Sequence, residues 1–142
     1  ITGDLISPWA DIKMDVHEIP FKDNTFDVVI CNHVLEHVDD ADKVMSEFYR
    51  IMKCGGWGIF QVPIDQSSAY TKEDKSIIDP KERERLYWQS DHVRLFGLDY
   101  GKKLSKVGFK VTEDDFVNKL DPNLVVRYAL PKGEIIYFCE KK

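Results

Sequence analysis

The run Phe26-Asp-Val-Val-Ile-Cys-Asn-His-Val-Leu-Glu-His-Val38 constrains the fold more than any other stretch of the chain. Phe26 to Cys31 is short, apolar and rich in β-branched residues, which predicts a strand buried on both faces. Asn32 to His37 then turns polar and ionisable. A buried strand that opens into polar side chains describes the carboxyl edge of an α/β sheet, where open parallel sheets bind their ligands. Asn32, His33, Glu36 and His37 are therefore the first candidates for chemistry.

The flanking segments supply the rest of such a sheet. Asp39 or Asp40 is a suitable N-cap, and Ala41, Val44, Phe48, Ile51 and Met52 recur at helical spacing until Gly55-Gly56, read as the helix stop. Trp57 to Pro63 reads as a second buried strand, so strand, helix and strand form a βαβ unit with a parallel sheet and a right-handed crossover. Upstream, Pro20 breaks any helix, Lys22 to Thr25 is a polar turn, and Asp27 is assigned to local structure. Ile64 to Ser90 is polar and charged, with Pro80 at a helix start. It predicts a loop and short helix forming a lid-like insertion, residues 64–90, within a single domain spanning 1–142. His92 and Arg94 alternate with Val93 and Leu95, so both point one way in an extended segment. Leu98, Leu104 and Val107 predict a helix stopped by Gly108, and Phe109 to Thr112 a strand. Asp121-Pro122 opens a short helix, and Ile135 to Cys139 is the last strand.

Composition narrows the function classes. A chain of 142 residues with 43% hydrophobic and 32% charged residues has the makeup of one globular domain. A net charge of -5 argues against duplex nucleic acid or an anionic membrane as the main partner. No apolar run is long enough to span a bilayer, and no signal peptide opens the chain. Cys31, Cys54 and Cys139 are an odd, widely spaced set that suits reduced thiols in a cytoplasmic protein.

Four pieces in order, Asp15-Val-His-Glu-Ile-Pro-Phe21, Asp23-Asn-Thr-Phe-Asp27, His33-Val-Leu-Glu-His37 and Arg50-Ile-Met-Lys-Cys-Gly-Gly56, carry a resemblance. Together they resemble the second half of a class I S-adenosylmethionine-dependent methyltransferase of the small-molecule type, from about Gly3 to Val62 and more loosely to the end. The resemblance implies a Rossmann-like, mostly parallel sheet with an antiparallel last strand. It also implies S-adenosylmethionine as cofactor and a small-molecule methyl acceptor, with neither nucleic acid nor membrane as partner. Asp4 takes the place of the acidic residue that accepts from the ribose hydroxyls, and Asp15 of the one beside the adenine amino group; the bland alternative is that both cap loops. Val16, Asn32, His33 and His37 fall beside the cofactor in that alignment, although a packed turn residue is the plainer reading of His37. His33 and His92 are the candidate general bases.

The resembling family opens with a strand and a Gly-rich turn, and none of the eight glycines here forms that turn. With Ile1 rather than Met at the start, a processed or truncated chain is expected, its gap beside Phe26–Cys31 closed by direct pairing of the flanking strands or by a second copy as a homodimer. Such a chain is not expected to bind the cofactor productively as an isolated monomer. Two other classes compete. One is a non-catalytic module that keeps the fold without the cofactor. The other is a metal-dependent hydrolase, because His33-x-x-Glu36-His37 matches the H-x-x-E-H zinc pattern. That pattern needs both histidines on one helical face, whereas His33 falls at a strand end and the helix starts only at Asp39 or Asp40, so no metal ligands are assigned.

Overall fold

The computed structural model describes all 142 residues. Its main sheet has four strands: β3 (Phe26–Asn32), β4 (Met52–Gln61), β7 (Lys110–Asp114) and β8 (Ile136–Glu140), in the order β3-β4-β8-β7. β3 and β4 pair in parallel, while β8 runs antiparallel to both β4 and β7. Three strands thus share one direction and the last alone is reversed, as the resemblance implies. Two short pairs lie outside this sheet. β1 (Gly3–Asp4) and β2 (Ile12–Lys13) are parallel; β5 (Lys72–Glu73) and β6 (Arg94–Leu95) are antiparallel.

Asp caps three helices, at Asp40 and Asp121 as expected from sequence and also at Asp79 ahead of Pro80. Asp40 accepts from the Lys43 N–H at the start of α1 (Ala41–Ile51), and Asp79 from the Lys81 N–H at the start of α2 (Pro80–Tyr87). Asp121 does the same for Asn123 in α4 (Pro122–Arg127). α3 (Tyr100–Val107) ends at Gly108, whose φ of 124° excludes a side chain at little cost only for glycine. The apolar stripe of α1 is core: Ala41, Val44, Met45, Phe48 and Ile51 are buried against Phe60, Tyr100, Leu104, Phe109 and Tyr137. Lys141 closes the far end of α1, its Nζ donating to the carbonyls of Tyr49 at 2.7 Å and Met52 at 2.8 Å.

Four expectations are corrected. α1 does not run to Gly55-Gly56; it ends at Ile51, and Met52 is already extended. The glycines sit inside β4, where Gly55 takes φ 79° and the register against β3 slips between Phe26 and Val28, so they build a bulge. β3 is not buried on both faces: Val28 is 40% and Ile30 61% exposed, because β3 is an edge strand paired only with β4. The flanking strands do not close the gap, since no ladder joins β1 to β3. Leu98 lies ahead of α3 and is exposed. No helix is long and apolar enough to cross a membrane.

Thiol chemistry follows from this packing. Burial pushes Cys139 up to about 12, and burial with the nearby Glu36 charge does the same to Cys31, while Cys54 is exposed. Ellman's reagent at pH 8 is expected to titrate Cys54 quickly, the half-buried Cys31 slowly, and Cys139 only on unfolding. Equal rates for all three thiols would contradict this packing.

Candidate functional site

The carboxyl ends of β1, β2 and β3 carry the candidate cofactor residues. Asp4 ends β1, and its Oδ1 accepts from the backbone N–H groups of Ile6 at 2.8 Å and Ser7 at 2.7 Å. Asp15 lies two residues beyond β2, and its Oδ1 accepts from the His17 N–H at 2.8 Å, with His17 Nδ1 at 2.7 Å. These backbone donors hold both carboxyls below the usual carboxylate range, so both are ionised at neutral pH. Each Asp therefore has one oxygen fixed by its own turn and a second, Oδ2, with no donor from the chain. The loop-capping role and a ligand role are compatible, because they use different oxygens. β1 and β2 are paired in register, Asp4 opposite Lys13, so the two acids emerge from the same end of neighbouring strands.

Between β1 and β3 runs an apolar groove of about 320 Å³. Gly3, Met14 and Val16 line one wall, Val28, Ile30 and Asn32 the other, and Phe48 and Ile51 of α1 the floor. Val16 and Asn32 are both among its lining residues.

The turn after β3 holds the remaining candidates. His33 has φ 56°, donates its N–H to the Gln61 carbonyl at 2.8 Å, and is exposed, with Nδ1 3.3 Å from Glu36 Oε1. Residues 33–37 form no helix, so the H-x-x-E-H metallopeptidase arrangement is not built. Glu36 and His37 instead meet a residue far along the chain. The Val93 N–H donates to the Glu36 carbonyl at 2.9 Å, which brings His92 beside them; the His37 and His92 rings are 4.7 Å apart, edge to face.

His92 was a candidate base, but it is 4% exposed and its Nδ1 is 2.8 Å from the Tyr87 carbonyl. It is a fixed, buried group and not one free to meet an acceptor from solvent. His33 alone of the two is open.

Arg94 organises the turn, a role its alternating sequence context did not reveal. It is 1% exposed; Nη1 donates to the carbonyls of Leu35 at 2.6 Å and of Val38, and Nη2 to that of Asp39 at 3.2 Å. Its other partner is Glu73 of β5, 2.9 Å away. One guanidinium therefore ties the segment after β3 to the inserted segment. The insertion is further anchored by Lys72 to Asp65 at 2.7 Å and by the Asp65 N–H to the Phe96 carbonyl at 2.8 Å. Its exposed apolar side chains are Tyr70, Ile78 and Trp88, whereas Tyr87 is buried and accepts from the Asp74 N–H.

Acidic residues at the ends of adjacent parallel strands, next in sequence to Gly3, Met14 and Val16 of the groove, lie at the sheet edge where α/β domains bind their ligands. A family model described as "Methyltransferase domain" matches residues 7–60. Over 42 residues the chain is 48% identical to a ubiquinone/menaquinone biosynthesis C-methyltransferase of Desulfotalea psychrophila, a match spanning 30% of this chain and 17% of that protein. Over 125 residues it is 33% identical to a sterol 24-C-methyltransferase of Schizosaccharomyces pombe, spanning 84% of this chain and 31% of that protein. Among solved structures, a S-adenosylmethionine-dependent methyltransferase from Thermotoga maritima superposes with a TM-score of 0.56 at 18% identity, covering 94% of this chain and 65% of that one. The [4+2]-cyclase SpnF does so with a TM-score of 0.60 at 14% identity, covering 92% and 56%. Residues 7–60 thus match the methyltransferase-domain family, and the fold is that of the class I S-adenosylmethionine-dependent methyltransferases. The chain spans less than a third of the length of the two curated relatives.

Proposed function

We propose that this domain takes part in methyl transfer from S-adenosylmethionine to a small-molecule acceptor. The observation that carries the proposal is the pair of ionised acids, Asp4 and Asp15, at one end of β1 and β2, each with Oδ2 unclaimed by the chain. A vicinal pair of ribose hydroxyls at Asp4 and an adenine amino group at Asp15 are the donors such oxygens accept from. Val16 and Asn32 complete the apolar and polar walls of that seat.

The cofactor, when bound, supplies an electrophilic methyl group on a sulfonium, so the protein's task is to orient and to exclude water. His33, exposed at the mouth of β3, is the group placed to take a proton from an acceptor hydroxyl or ammonium. Segment 64–90, pinned through Glu73 to Arg94, stands over the same turn and serves as the cover on the acceptor side.

A second reading is favoured by the open edge of β3: without a strand between β1 and β3, the domain would act as a cofactor-free binding module. Calorimetric titration of S-adenosylhomocysteine into a version of the protein extended at its N-terminus separates the two readings.

A further inference from the structure

Three potential metal-ligating side chains cluster behind the β3 turn. Glu36, His37 and His92 each offer a ligand atom, and these atoms all lie within 4.8 Å of one another. Glu36 is 2% exposed, and its Oε2 has no hydrogen-bond partner at all. An orphaned carboxylate oxygen in the interior is costly, and native structures seldom leave one without a cation or donor. Its sister oxygen, Oε1, is only loosely engaged, 3.3 Å from His33 Nδ1.

His92 is oriented from behind by a hydrogen bond, in the manner of metal-bound histidines, and His37 has a carboxylate close behind its ring. His92 Nδ1 donates to the Tyr87 carbonyl at 2.8 Å, and His37 Nδ1 lies 3.2 Å from the Asp91 carboxylate. A histidine that gives one ring N–H to a carbonyl or carboxylate presents the other nitrogen as a lone pair, the tautomer a metal requires. Two imidazole nitrogens and an unpartnered carboxylate oxygen are the donor set of divalent first-row transition metals, not of magnesium or calcium, which take oxygen ligands throughout.

We propose that Glu36, His37 and His92 bind one divalent transition-metal ion, with Asp91 orienting His37 and His33 orienting Glu36. Metal–ligand bonds of about 2.1 Å place tetrahedral donors about 3.4 Å apart, so the three side chains draw in slightly on binding. His37, 32% exposed beside the more open Asp91, marks the side on which a coordination position is left for water or an oxygen ligand. The ligand set differs from the sequence motif: His33 supports, and His92, distant in sequence, replaces it. The site stands independently of the cofactor reading, because metal and S-adenosylhomocysteine are titrated separately.

Zn(II) titrated into the metal-free chain against a chromophoric chelator tests the site. One equivalent is expected to bind with a Kd at or below about 1 µM. His37→Ala, at a half-exposed position that spares the core, is expected to abolish that binding. Asp91→Asn is expected to weaken it about 10- to 100-fold, the usual cost of losing a supporting partner. His17→Ala, outside the cluster, leaves it unchanged, and Co(II) in the wild type gives the visible absorption of nitrogen and oxygen ligation. Absence of stoichiometric binding in the wild type, or binding equal to wild type in both His37→Ala and Asp91→Asn, overturns the site.

Discussion

Arg94→Met is expected to lower the unfolding free energy by about 2–3 kcal/mol, the range for hydrogen bonds to a charged group whose buried partner is left unsatisfied. The loss has two parts. Glu73, a third exposed, loses its cation, and the buried carbonyl of Leu35 and the part-buried carbonyls of Val38 and Asp39 lose their shared donor. Methionine fills much of the volume but supplies none of the N–H groups. Urea unfolding followed by tryptophan fluorescence measures the effect. Arg94→Lys should recover part of it, because an ammonium restores the charge but cannot reach three carbonyls and a carboxylate in one plane. A change below about 1 kcal/mol for Arg94→Met would show that the guanidinium is a surface ion pair in all but appearance.

Asp4→Ala carries the second large effect, on ligand affinity and not on folding. Losing a hydrogen bond from a ribose hydroxyl to a charged acceptor costs about 1.5–3 kcal/mol, which is a Kd weakened about 10- to 150-fold. The same substitution removes the acceptor for the Ile6 and Ser7 N–H groups, but these lie in an exposed turn where water replaces it, so unfolding should shift little. Affinity for S-adenosylhomocysteine, measured in a version of the protein that binds it, should fall while the affinity for an acceptor falls less. Unchanged cofactor affinity removes Asp4 from the seat and leaves only its capping role.

Much of the architecture was legible because local chemistry and tertiary placement agree. Asp40, Pro80, and Asp121 with Pro122 announced helix starts, Gly108 a stop, and the alternation of β4, α1 and β3 a parallel unit. Gly55-Gly56 misled because glycine serves a helix stop and a strand bulge equally well, and only the register between β3 and β4 decides which. β3 misled for a related reason: Val28, Val29 and Ile30 read the same whether or not a strand lies beside them. In the site, Asp4 and Asp15 came from the family's pattern, whereas His92 with Glu36 and His37 could not. That contact depends on the Val93 N–H meeting the Glu36 carbonyl, a tertiary link with no local signature. Arg94 left only a weak trace, a charge inside the apolar run Val93 to Phe96, where a buried cation must find several acceptors.

Seating of the adenosyl group at the ends of β1 and β2 beside β3 is tested most directly by calorimetric titration of S-adenosylhomocysteine into two proteins. One is the 142-residue chain; the other carries an N-terminal extension able to lay a strand in the groove between β1 and β3. The expected result is little or no binding by the first and one-to-one binding by the second, weakened by Asp4→Ala and by Asp15→Ala. Failure of the folded, extended protein to bind, or equal binding by its Asp4→Ala and Asp15→Ala variants, would contradict that seating.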